Sequence, residues 1–254
     1  VRPYQKNSGG QNVSKRKELR QRRQRQSQQQ QYIIVGAIVL VAVAVVGYLI
    51  YQNSRPVGSI QTVQSTPLPN SDGSAVGSPD AKVVAMLFED FQCPICREFT
   101  RTIEPLLYEK YIATGKIRLD YRHLIVIDGN VGGTESKDAA NASECAAEQG
   151  WFWPYHDVLF TNQSGEHAGD FTPQRLKAFA GSLKLDQGKF DSCLDTAKYQ
   201  NILTADQAAA RQIGANGTPT FFIQGQTPIG GVPRDGFAAY EKIIEAALAA
   251  AGTK

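Results

Sequence analysis

Four consecutive residues, Cys93-Pro94-Ile95-Cys96, have the types and spacing needed for thiol–disulfide exchange. Two sulfurs three positions apart can close a small disulfide. Pro94 suits the first position of a helix because it has no N–H to satisfy there. Cys93 is then placed at the helix N-terminus, where unpaired N–H groups and the positive end of the dipole favour a thiolate. On this reading Cys93 is the nucleophile and Cys96, one turn in, is the resolving thiol. A C-x-x-C is also half of a zinc site, but zinc needs two further ligands. No second C-x-x-C or H-x3-H exists, and His123, His156 and His167 are scattered along the chain.

The dithiol needs a strand to lead into it and a helix to carry it. The apolar run Lys82 to Phe88 reads as a buried strand, and Pro94 to Thr114 as a helix interrupted at Pro105 and stopped by Gly115. Lys116 to Arg122 alternates like a strand. From about residue 135 to 213 the pattern is helical, with breaks near Gly150, across 162–170 and near Gly181. Thr220 to Ile223 returns to strand character and can pair with Pro228 to Gly230 across Gly225-Gln226. A last helix runs from about Asp235 to Ala251, with Gly252 as its stop.

The two ends of the 254-residue chain differ sharply in composition. Residues 1–31 hold nine basic residues against one acid, whereas the rest is acidic, so the net charge of +3 describes neither part. Residues 32–51 are 20 residues without a charge, long enough at about 1.5 Å per residue to cross a hydrocarbon layer of about 30 Å. Tyr32, Tyr48 and Tyr51 fall near the ends of this run, as interfacial aromatics do. A cleaved signal would be shorter and would end in small residues of A-x-A type, so an uncleaved anchor is expected. A basic, Gln-rich tail can hold nucleic acid. Directly before an apolar span it reads instead as a topology signal, with residues 1–31 cytoplasmic and everything after residue 51 outside. Disulfides persist there. Residues 52–80, rich in Pro, Gly and Ser, are expected to be a flexible tether with a reach of about 30 Å. Residues 81–254 hold all four cysteines and are enough for one domain.

This order of elements resembles a thioredoxin fold with a helical insertion, as in the DsbA-like thiol:disulfide oxidoreductases. Three segments carry the likeness. Leu87 to Cys96 resembles that family's active-site strand and turn. Cys145 to Gly150, continuing through Phe152 to Phe160, resembles the insertion helices of its membrane-anchored bacterial, and especially actinobacterial, branch. Gly217-Thr218-Pro219-Thr220 resembles the loop that carries its cis-proline. The resemblance implies that Thr218 and Pro219 contact substrate beside the active-site sulfurs, where an extended segment can bind in β-strand fashion. Many relatives place a buried acid six residues before the nucleophile, a position held here by Leu87. Glu89 lies on the same strand face and is the candidate proton shuttle, with a surface acid as the alternative. Once Cys93 and Cys96 pair with each other, Cys145 and Cys193 remain as a structural pair, which the resemblance also supports. His156 and the aromatics Trp151, Phe152, Trp153, Tyr155 and Phe160 are expected to pack the insertion on the core.

The apolar span and basic tail, with the resemblance over about residues 81–250, together imply a membrane-anchored, extracytoplasmic enzyme that introduces disulfides into exported cysteine-containing proteins. The resemblance also implies reoxidation by a quinone-linked membrane oxidase of the DsbB or vitamin-K-epoxide-reductase type. Exchange at two sulfurs calls for no bound cofactor or metal. A reductase or isomerase on the same fold is the alternative, since Pro94-Ile95 lacks the histidine of the most oxidising members. A tethered binding or metal-handling module is a further one.

Overall fold

The computed structural model describes residues 9–53, 57–63 and 65–252, and the chain divides into two compact units at Pro56. Arg2 and Lys6 of the basic tail, and positions 54–56 and 64 of the expected tether, lie outside the described residues.

The first unit contains one 45-residue helix, α1 (Gly9–Asn53). Its stretch Gln28–Tyr48 has a mean hydropathy of 2.3 and is nowhere buried, so by length and composition it can cross a membrane.

The second unit is built on a six-stranded sheet. Its strands are β1 (Ser71–Asp72), β2 (Ala75–Val76), β3 (Val83–Glu89), β4 (Ile117–His123), β5 (Thr220–Ile223) and β6 (Ile229–Gly230), in the order β1-β2-β4-β3-β5-β6. Only the central pair, β3 and β4, is parallel. Parallel neighbours need a crossover, which is supplied by α2 (Pro94–Thr102), α3 (Glu104–Leu107) and a π-helical turn, Tyr108–Ile112. The crossover is segmented because Pro105 sits in the first turn of α3 and cannot continue α2. Side chains alternate across β3. Val83, Ala85 and Leu87 enter the main core, whereas Phe88 packs with Leu124 and Ala210 on α9 (Gln200–Gln212).

Between β4 and α9 lie α4 (Ile127–Val131), α5 (Glu135–Ala147), α6 (Phe152–Asn162), α7 (Pro173–Ser182) and α8 (Gln187–Asp195). Alanines on α5 let its neighbours approach closely, and the Cys145–Cys193 disulfide joins it to α8. The chain closes with α10 (Phe237–Gly252), whose Tyr240 packs edge-on against Phe99 and Phe221.

The expected tether needs correction. From Val57 onward the segment belongs to the domain. Gln61 exchanges backbone hydrogen bonds with the Asn162 side chain at 2.8 and 2.9 Å, and Arg175 donates to the Val57 carbonyl at 2.6 Å. Ile60, Val63 and Leu68 pack half-buried on the core, and β1 and β2 extend the sheet. Closure of this hairpin on β4 requires Gly77. At its φ of +112°, a Cβ would lie 2.7 Å from the Ile117 carbonyl oxygen. Too apolar-poor to build a core, the segment adds its few apolar residues to an existing one.

Candidate active site

Cys93 is the N-cap of α2, with extended backbone (φ −74°, ψ 119°) and Pro94 in the first turn, as the spacing requires. Both active-site cysteines are free thiols. Cys93 is 6% exposed and Cys96 is fully buried, so the reachable sulfur is that of Cys93.

The residues between β3 and Cys93 are clamped by partners far away in sequence. The buried Asp90 carboxylate accepts from the backbone N–H of Gln92, Val126 and Ile127, each at 2.9 Å. The buried Gln92 amide donates to Asp128 and Ser136, both at 2.8 Å, and accepts from the His167 N–H at 2.7 Å. Gln163 donates to the carbonyls of Phe91 and Cys93 at 2.8 and 2.9 Å. Sequence reasoning missed Asp90, Gln92 and Gln163. Their types say only that each needs partners when buried.

Across the site, the antiparallel register Leu87↔Phe221 and Phe88↔Thr220 brings the loop before β5 up to the dithiol. The Thr218–Pro219 peptide is cis, and the Thr218 carbonyl oxygen lies 3.4 Å from Cys93 Sγ. The loop is tied down by Thr220 Oγ1 donating to the Gly217 carbonyl and by Gly231 N–H donating to the Pro219 carbonyl, both at 2.7 Å.

The two sulfurs differ strongly in electrostatics. Hydrogen bonding with the Cys96 thiol, helped by the backbone N–H groups of Ile95 and Cys96, holds the Cys93 thiol down to about 6 against the opposing effect of burial. Burial first, then Cys93 and the Glu89 charge, push the Cys96 thiol well above its usual range. Glu89 is 1% exposed, which removes the surface-acid alternative. Burial raises its carboxyl to about 7, against His156, and it also interacts with the Cys96 thiol. A first expected result follows from the thiols. In the reduced protein, alkylation of Cys93 by iodoacetamide should rise with pH to a plateau above about pH 7, with a midpoint near 6. Mass spectrometry of the labelled peptide checks it, and a midpoint above 8 would remove the activated thiolate.

Cys93, Cys96, Glu89, Thr218 and Pro219 thus converge, whereas Cys145–Cys193 joins two insertion helices and contributes no side chain to this group. His156 is more than packing. It is fully buried among Phe91, Tyr121, Trp153 and Phe160, yet Glu89, Glu104 and Asp157 carboxylates all lie within 4 Å of it. His123 Nε2 meets Glu144 Oε1 at 2.9 Å.

Residues 70–245 match the sequence profile of the thioredoxin family. Among curated relatives, a Na(+)/H(+) antiporter NhaA 3 from Salinispora tropica is 33% identical over 150 residues, covering 59% of this chain. The chain spans only 21% of that relative's length. A probable disulfide bond formation protein D from Bacillus cereus is 26% identical over 191 residues, covering 74% of this chain and 83% of that protein. Among solved structures, oxidised BdbD from Bacillus subtilis superposes with a TM-score of 0.61 at 24% identity, covering 74% of this chain and 98% of that one. The chain belongs to the thioredoxin family, and its domain has the DsbA-like form of that fold.

Proposed function

We propose that this thioredoxin-family chain is a membrane-anchored, extracytoplasmic thiol:disulfide oxidoreductase that passes its Cys93–Cys96 disulfide to exported proteins. The observation that carries the reading is the asymmetric dithiol, with one activated thiol at a helix start beside the Thr218 carbonyl and one fully buried. A substrate thiolate attacks Cys93 Sγ, and the Cys93–Cys96 bond breaks. Cys96 leaves as a thiolate and takes a proton from Glu89. A second substrate thiolate then attacks its partner sulfur in the mixed disulfide, expelling Cys93 as a thiolate that the site stabilises. In this reading the Thr218 carbonyl, 3.4 Å from Cys93 Sγ, accepts a backbone N–H from an extended substrate beside the sulfurs.

The direction rests on the Cys93 thiolate. Whatever stabilises the reduced form makes the disulfide a stronger oxidant, and the Cys93 thiol is well below its ordinary value of 9.0. Anchoring rests on α1, with its basic N-terminal half held inside by the positive-inside rule. Reoxidation falls to a quinone-linked membrane oxidase of the DsbB or vitamin-K-epoxide-reductase type, which would accept the electron pair. The full chain in detergent should oxidise a reduced multi-cysteine protein faster than it catalyses reduction of insulin by dithiothreitol. The opposite ranking would make it a reductase.

A further inference from the structure

Beneath Cys96, ionisable side chains from three elements meet inside the domain. Glu89 ends β3, Glu104 begins α3 and His156 lies on α6. His156 Nε2 is 3.8 Å from Glu89 Oε2 and 3.8 Å from Glu104 Oε2, and hydrogen-bonds to neither. Its Nδ1 lies 3.2 Å from Asp157 Oδ1. Both Glu89 oxygens, Glu104 Oε2, Thr100 Oγ1 and Tyr121 OH are also buried without a hydrogen bond. Buried polar atoms are nearly always paired, so this concentration beside one reactive thiol calls for a role. Gaps of 3.8 Å are ones that a small carboxylate rotation or one bridging water closes.

A cleft borders the cluster. Thr100, which interacts with the Glu104 carboxyl, lines a cleft of about 420 Å³ together with Asp157, Gln61 and Arg101. Glu104 is 14% exposed and Asp157 36% exposed, whereas Glu89 and His156 show no side-chain exposure, so accessibility rises from the dithiol outward.

We propose that Glu89, His156 and Glu104 form a proton relay between Cys96 and the cleft lined by Thr100 and Asp157. The relay rests on the reading of Cys96 as the resolving thiol. When Cys96 leaves as a thiolate, it carries the electron pair of the broken S–S bond. The Glu89 carboxyl protonates that sulfur, and the His156 imidazolium returns a proton to Glu89. The Glu104 carboxyl then reprotonates His156, and cleft water reprotonates Glu104. One proton enters from solvent for each Cys96 thiol formed, no electron leaves the sulfurs, and reoxidation runs the same steps outward.

Titratable groups from several elements face His156. They are Glu89 from β3, the Tyr121 ring from β4, Glu104 from α3 and Asp157 from its own helix. Burial raises Glu89 to about 7 and Glu104 to about 8. Against burial, which alone would push it down, Glu104, Asp157 and Glu89 lift His156 to about 10. The carboxyls can therefore both give and take a proton near neutral pH.

The test uses the full chain in detergent, with reduction of its disulfide by dithiothreitol followed by tryptophan fluorescence across pH. Glu104→Gln, which preserves size but carries no proton, should slow the reaction at pH 7 roughly tenfold, less than loss of a direct general acid. It should also alter the pH profile near 8 and the solvent deuterium isotope effect, and added imidazole should restore part of the rate. His156→Gln should behave alike. Should that variant not fold, infrared difference spectra of the unaltered chain decide. Reduction should perturb a protonated-carboxyl band that Glu104→Gln diminishes. Profiles and isotope effects unchanged in Glu104→Gln, or no carboxyl band in the difference spectrum, would overturn the relay while leaving exchange itself standing. An unaltered chain that reacts no faster than glutathione disulfide would overturn both.

Discussion

Alanine at position 93 is expected to bring disulfide exchange by the full chain down to the uncatalysed rate. Cys96 cannot substitute for it. Cys96 is fully buried, and burial first pushes its thiol well above the usual range, so it does not supply a nucleophilic thiolate at neutral pH. Only Cys93 combines a helix N-terminus, a neighbouring thiol and backbone N–H groups that stabilise the reactive anion. Serine at Cys96 has a different consequence. Cys93 still attacks, but nothing inside the site resolves the product, so mixed disulfides with substrate proteins accumulate. Mass mapping of trapped adducts checks both substitutions. Equal trapping by Cys93→Ser would reverse the roles of the two thiols.

Glutamine at position 89 is expected to separate activity from stability. Direct general acid–base help is typically worth 10²-fold or more, so exchange at neutral pH should fall by about 10². Stability should move the other way. The folded state holds the Glu89 proton up to about pH 7, whereas the unfolded chain releases it near its ordinary 4.5. Between those values the folded state binds more protons, so stability falls as pH rises through the window. Glutamine mimics the protonated acid and should recover about 3 kcal/mol above pH 7 and almost nothing below pH 4. Denaturant unfolding at pH 4 and pH 8, with stopped-flow exchange on the same samples, measures both. A slower enzyme with unchanged pH dependence of stability would place the functional carboxyl elsewhere.

What could be read from the sequence was local in origin. Cys93-Pro94-Ile95-Cys96 carries its own instructions, because Pro94 starts the helix that Cys93 caps. Val83–Glu89 and Thr220–Ile223 stand out as short apolar runs, and their adjacency follows from the family resemblance. The clamp on the active-site loop was not legible. Asp90 and Gln92 act on Val126, Ile127, Asp128 and Ser136, and a buried polar side chain does not announce its partners. The aromatic neighbours of His156 in the sequence point to packing, whereas its acidic neighbours in space come largely from β3 and α3. The turn between α8 and α9 went unread for another reason. It uses Ala197 at a φ of +47°, where glycine would have signalled it. The packing of residues 57–63 and 65–68 uses backbone groups as well as sparse apolar side chains, and composition counts only side chains.

The most direct measurement of the central claim is the redox equilibrium of the Cys93–Cys96 pair in glutathione buffers at pH 7. One unit of thiol pKa is worth about 1.4 kcal/mol, or about 30 mV for this two-electron couple. Thioredoxin, with a nucleophile near 7, sits at about −270 mV. A Cys93 thiol held at about 6 then places this couple at about −240 mV or higher, on the oxidising side of thioredoxin. A potential at or below about −270 mV would contradict the account and make the chain a reductase.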